Sequence, residues 1–223
     1  MKTKELRKAY DLMRRRFGHQ GWWPGETPFE VCVGAMLTQN TAWTNVEKAI
    51  VNLKRARVLA PRKMYELPEA ELAELIRPAG YFNVKARRLR SFLKVIVEEC
   101  GGSLGRLMED GETALVRERL LGINGIGPET ADSMLLYASK HHSFVIDAYT
   151  KRIFSRHGWC GEEVDYHALQ ELCAGALSQK RGDAQLDYWR DYHAQLVMVG
   201  KDHCRPRNPR CETCPLRPLL PGD

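Results

Sequence analysis

Apolar residues recur at helical spacing along almost the whole chain. Leu6, Ala9, Tyr10, Met13 and Phe17 form one stripe, and Val46, Ala49, Ile50 and Leu53 a second. Ala86, Leu89, Leu93, Ile96 and Val97 form a third, Ala131, Met134, Leu135 and Ala138 a fourth, and Tyr188, Tyr192, Leu196 and Val199 a fifth. Residues three and four apart share a helix face, so each stripe is one buried side of an amphipathic helix. Phe29 to Leu37 is apolar on every side and reads as a buried central helix. Pro24-Gly25, Pro61, Pro68, Pro78-Ala79-Gly80 and Gly101-Gly102 punctuate the series, and no pair of alternating runs meets at a hairpin turn. The pattern predicts an all-α chain of about ten helices.

Composition narrows the class. Hydrophobic residues are 43% of 223 and charged residues 28%, a globular balance. Thirty-four Lys and Arg against 28 acids leave a net charge of +6, which fits a polyanionic partner. No apolar run approaches the roughly 20 residues of a membrane span, and the first residues carry no apolar signal core. A cytoplasmic, nucleoid-associated protein is expected, where disulfides are rare and clustered cysteines more often hold a metal or a cluster. Three of the seven cysteines, Cys204, Cys211 and Cys214, crowd near the C-terminal end of the sequence.

Two segments do not follow the helical scheme. In Leu121-Gly122-Ile123-Asn124-Gly125-Ile126-Gly127-Pro128-Glu129-Thr130-Ala131, Gly125 and Gly127 permit backbone angles closed to other residues. They let a phosphate approach the amides that begin the next helix, and the same glycines also suit a plain helix–helix connection. Downstream, Phe144-Val145-Ile146-Asp147 ends an apolar run on a carboxylate. Asp147 can cap the following helix. It can also face a cleft, where a carboxylate stabilises developing positive charge or orients water.

In that order, the hairpin and the Val-Ile-Asp segment resemble the helix-hairpin-helix/Gly-Pro/Asp superfamily of DNA base-excision glycosylases. Met36-Leu37-Thr38-Gln39-Asn40-Thr41 resembles its segment with a DNA-wedging Gln. Ala79-Gly80-Tyr81-Phe82-Asn83-Val84-Lys85-Ala86 resembles its Gly-aromatic-Asn-x-Lys-Ala loop. Trp22-Trp23-Pro24 and the segment from Arg77 to Leu89 are most similar to the 3-methyladenine glycosylase III branch. The resemblance implies two helical domains flanking a DNA-binding cleft: a six-helix core over 27–140, and a second domain joining 1–26 to 141–223. It implies a monomeric enzyme acting on damaged double-stranded DNA, with Asp147 catalytic and Trp23, Trp43 and Glu129 lining the base pocket. DNA contacts are implied for Gln39, Tyr81, Phe82, Asn83, Lys85, Arg88, Gly125, Gly127, Thr130 and Lys151, with Arg87 and Arg90 beside them. The two Trp and the Lys-Arg run can equally be core residues and a solvated face.

Glu129 stands where lyase members of the superfamily carry a Lys. A carboxylate cannot form the Schiff base through which an amine cuts the strand, so the expectation is base removal alone, from alkylated purines. Glycosylases for mispaired or deaminated bases and a non-catalytic DNA-damage binder are the alternatives. Cys204-x6-Cys211-x2-Cys214 resembles the iron–sulfur loop of endonuclease III, whose fourth Cys is replaced here by Leu220. A [4Fe-4S] cluster would need a foreign fourth ligand, from His203, Cys160, Cys173 or solvent, and a relic loop without metal is the other reading. Cys32 and Cys100 are expected to be ordinary buried cysteines, and Arg205, Arg207 and Arg210 in the loop are further candidates to touch DNA.

Overall fold

The computed structural model describes residues 2–21, 25–108 and 111–222. These contain twelve α-helices and no strand. The longest helix has 21 residues, and none among the described residues is long and apolar enough to cross a membrane. The chain divides into two compact units, Trp23–His141 and Met1–Trp22 with His142–Asp223.

The first unit is built around α2 (Pro28–Leu37). Thr27 caps it by accepting from the Glu30 amide at 3.1 Å, and Pro28 supplies the preset first-turn angle. Eight of its ten residues are buried, and each fully buried large apolar side chain contributes about 1.5–3 kcal/mol. Around it pack α3 (Trp43–Arg55), α6 (Phe82–Lys94) and α9 (Pro128–Ser133), with α4 (Pro61–Glu66), α5 (Glu69–Leu75), α7 (Leu104–Met108) and α8 (Thr113–Leu121) completing the unit. Lys54 of α3 bonds Glu26 and the buried Glu30 at 3.0 and 2.9 Å, which holds residue 26 on this unit.

The second unit is α1 (Lys2–Phe17), α10 (Ala148–Arg156), α11 (Tyr166–Leu177) and α12 (Gly182–Asp202). The α1 stripe packs on α11 and α12. Its Tyr10 donates to the buried Asp191 at 2.7 Å, and Tyr192 donates to the Leu6 carbonyl at 2.9 Å. The Phe144-Val145-Ile146 run is not helical; all three residues are buried and lead into α10. Helices α10 and α12 come close because position 200 is glycine: a Cβ there would overlap the Tyr149 ring.

Candidate functional site

The hairpin lies between α8 and α9. Ile123 and Ile126 are buried and root it in the core, while Gly125 takes φ +92°, an angle that side chains disfavour. Arg88 packs against Gly125 where a Cβ would stand and donates to Gln39 Oε1 at 2.6 Å. The Gln39 amide donates in turn to the Gly125 carbonyl at 2.9 Å and to Thr130 Oγ1 at 3.1 Å. Gln39, Arg88, Gly125 and Thr130 therefore form one network. Thr130 is buried, so its hydroxyl serves the hairpin and is not a surface contact for a phosphate. Across the hairpin, Arg117 of α8 forks onto both oxygens of the fully buried Asp132 of α9, at 2.8 and 3.0 Å.

Lys85 corrects the expectation that it meets a phosphate. Its ammonium is buried and donates to the carbonyls of Leu37 and Ala79, each at 2.8 Å. One side chain thus caps the end of α2 and the end of the short 3-10 turn Arg77–Ala79, pinning the loops that carry Gln39 and Tyr81. Arg90 is also structural: it donates to the Leu67 carbonyl at 2.7 Å and lies over the Tyr65 ring. Burial, helped by the Arg88 charge, pulls Lys85 down from 10.5 to about 8. Between those two values the unfolded chain binds more protons, so stability supplied through this group rises with pH and is lost as pH falls through 8. We expect Lys85→Met to cost about 1–3 kcal/mol by orphaning two carbonyls. In denaturant titrations the gap to wild type should widen as pH rises through that window; a gap independent of pH would contradict this account.

The loop after Lys85's anchor is exposed. Tyr81 is 70% exposed with φ +49°, a left-handed angle that costs a bulky residue of order 1–3 kcal/mol. Phe82 lies under the Arg77 guanidinium at 4.8 Å, and Asn83 and Arg87 face outward. Trp43 opens α3, is half-buried, and donates from its indole to Glu47 at 2.8 Å. Glu129 is exposed in the first turn of α9, and Gly127 is that helix's N-cap residue. Trp23 lies outside the described residues.

In the other unit Asp147 is the N-cap of α10. Its Oδ1 accepts from the Thr150 amide at 2.7 Å and from the Thr150 hydroxyl at 2.8 Å. Its Oδ2 faces His193 Nε2 of α12 at 3.5 Å. Burial alone would push this carboxyl up; His193 and the Thr150 donors outweigh it and hold the group below its ordinary value. An ionised carboxylate with one oxygen engaged by the cap is equipped to stabilise a cationic sugar and to orient water. Capping and catalysis are thus compatible uses of Asp147. Lys151, one residue beyond Thr150, is exposed. Sequence reading missed His193, although it shares a helix face with Leu196 and Gly200 and is a polar residue on an apolar stripe.

Cys204, Cys211, Cys214 and Leu220 line one small cavity of about 30 Å³, together with His157 and His203. Among the described residues no three His, Cys, Asp or Glu side chains are placed to hold a single metal ion. The three thiols instead share the walls of one cavity. Arg156 reaches Cys204 Sγ at 3.5 Å. Burial raises the Cys214 thiol, with the backbone at Leu216 and Arg217 pulling the other way. Three thiols on one cavity are the donor type a cluster uses, and the Leu220 side chain offers no fourth ligand. Cys160 and Cys173 do not line this cavity, so neither offers the fourth ligand there. His203 does line it, with Nδ1 on Thr213 Oγ1 at 3.2 Å. Cys32 is buried as expected, but Cys100 is only half-buried.

Comparison with known proteins matches this geometry to a family. A provisionally named DNA repair glycosylase of Methanocaldococcus jannaschii is 45% identical over 216 residues, which is 97% of this chain and 96% of that protein. Among solved structures, a non-covalent endonuclease III–DNA complex superposes with a TM-score of 0.83 at 21% identity, covering 98% of this chain and 95% of that one. The 3-methyladenine DNA glycosylase of H. pylori, solved with 1,N6-ethenoadenine, gives a TM-score of 0.76 at 27% identity over 90% of this chain and 97% of that one. Residues 33–179, from α2 through the hairpin and Asp147 into α11, match a family of base excision DNA repair proteins. With most of its length matched and a relative this similar, the chain belongs to the HhH-GPD superfamily of base excision DNA repair proteins, as a DNA glycosylase.

Proposed function

We propose that the chain is a monofunctional glycosylase that flips an alkylated purine out of duplex DNA and hydrolyses its N-glycosidic bond. The observation that carries this reading is Asp147: a carboxylate kept ionised despite burial, at the start of α10. An alkylated purine such as 3-methyladenine is cationic and leaves as a neutral base, taking the electron pair of the broken bond. The sugar becomes oxocarbenium-like, and water adds to it with loss of a proton. One carboxylate serves for this chemistry, as carboxylates do in glycoside hydrolysis. Trp43 offers the cationic base an indole face, an attraction of up to about 2 kcal/mol when desolvated; Trp23 and Glu129 complete the proposed pocket. Extruding the nucleotide costs a few kcal/mol. Gln39, Tyr81 and Phe82 are the groups proposed to fill the stack, with Asn83 beside them. The hairpin amides at Gly125 and Gly127, with Arg88 and Lys151, grip phosphates.

Glu129 is the reason for proposing base removal without strand cutting. It occupies the first turn of α9 after Pro128, and no imine forms on a carboxylate. Cys204, Cys211 and Cys214 would hold a [4Fe-4S] cluster, which when bound cross-links the C-terminal loop; its fourth corner falls to His203 or solvent.

Duplexes that each carry one lesion test this reading, incubated with and without a later alkaline step. Strand breaks are expected only after alkali, and at alkylated purines. Breaks without alkali would end the monofunctional assignment. Breaks confined to uracil, thymine or hypoxanthine would move the substrate to deaminated or mispaired bases, and tight binding with no base release would make the chain a damage binder.

A further inference from the structure

The geometry points to His193 as a positioning residue for Asp147, a role that rests on the reading of Asp147 given above. The two carboxylate oxygens are divided between two helices. Oδ1 belongs to α10, held by the Thr150 amide and hydroxyl. Oδ2 is turned toward α12, 3.5 Å from His193 Nε2. Side chains of both partners are nearly closed to solvent, 7% exposed for His193 and 12% for Asp147. The cap fixes one oxygen, and the imidazole fixes the rotation of the carboxylate plane about it. At 3.5 Å the contact is longer than a good hydrogen bond, as contacts at catalytic groups often are before substrate binds.

The placement is enforced by helix packing. His193 and Gly200 are two turns apart on one face of α12. Gly200 lets the Tyr149 ring of α10 lie directly on that face, and Arg152 of α10 donates to the carbonyls of Gly200 and Cys204 at 3.3 and 2.7 Å. The start of α10 is thereby seated where His193 stands opposite Asp147. Several other ionisable groups on the packed elements have partners of their own. Tyr10 and Arg14 of α1 go to Asp191. On α10, Lys151 acts on Asp165 and Cys160, and Arg156 reaches Cys204 and its loop. On α12, Asp187 pairs with His19.

An imidazole N–H turned toward Oδ2 favours the charged form of the carboxylate. It keeps Oδ2 available as an acceptor and as a negative charge facing the sugar. Without it, burial acts on Asp147 with only the Thr150 donors opposing.

The test is single-turnover base release across pH for wild type, His193→Gln and Asp147→Asn, using the full chain and a duplex with one alkylated purine. For His193→Gln the acid limb of the profile should move up by about one pH unit, so release on that limb slows about tenfold. DNA affinity and the melting temperature should stay near wild type. A limb that does not move would overturn the role, as would a loss of rate equal at all pH values and matched by a loss of stability. If His193→Gln does not fold, His193→Asn carries the same expectation. Full activity in Asp147→Asn would remove the reading of Asp147 itself. An inactive Asp147→Asn with an unmoved limb in His193→Gln would remove only the role of His193.

Discussion

Asp147→Asn is expected to slow base release by about 10²–10⁴-fold while leaving the fold intact. Asparagine is as good an N-cap as aspartate, so the Thr150 amide, now 2.7 Å from Oδ1, keeps an acceptor and α10 keeps its start. What is lost is the negative charge. The substitution therefore separates the two uses of one side chain, which Asp147→Ala would confuse by also removing a cap worth about 0.5–2 kcal/mol. Release measured under single-turnover conditions, beside a thermal melt, gives the answer. Activity within tenfold of wild type at an unchanged melting temperature would remove Asp147 from the chemistry.

Arg117→Ala should be the most destabilising single change near the hairpin. Asp132 is fully buried, and both its oxygens face the Arg117 guanidinium, itself mostly buried. Truncating the arginine leaves a charge in the core facing a lost partner, a situation that costs about 3–5 kcal/mol. In a chain of this size that is a fall in melting temperature of roughly 10 °C. Replacing both residues together, as Arg117→Met with Asp132→Leu, should recover much of the loss, because the penalty comes from the stranded charge. The pair braces α8 against α9, so the single variant should also weaken duplex binding at temperatures where it remains folded. A melting temperature within 2–3 °C of wild type would mean that the pair contributes little, as exposed pairs do.

The reach of sequence reading can be judged from individual residues. Leu6, Ala9, Tyr10 and Met13 were legible as a buried stripe because period 3.6 is a local property of the chain, and all four are buried in α1. Asp147 was legible twice over, as a cap and as a carboxylate closing an apolar run. Lys85 was misread because it stands in a Lys-Arg run. Its helical register, in line with Leu89 and Phe92, carried the contrary signal, and those two are buried with it. Charge in sequence says nothing about direction, whereas register on a helix does. Arg90 was misread for the same reason.

By itself the sequence determined the helical class, the glycine hairpin, the carboxylate after the apolar run and the glutamate in place of a lysine, because each is written in neighbouring residues or in a short spacing. Only the tertiary structure decided the partners. That Lys85 closes two helix ends, that Arg88 and Gln39 bind the hairpin together, that Arg117 meets Asp132 and that His193 faces Asp147 are contacts between distant segments. They depend on how helices cross, and crossing is set by packing of whole faces. Gly200 shows the physical reason in one position: its missing side chain is silent in the sequence, and it lets α10 approach the helix that carries His193.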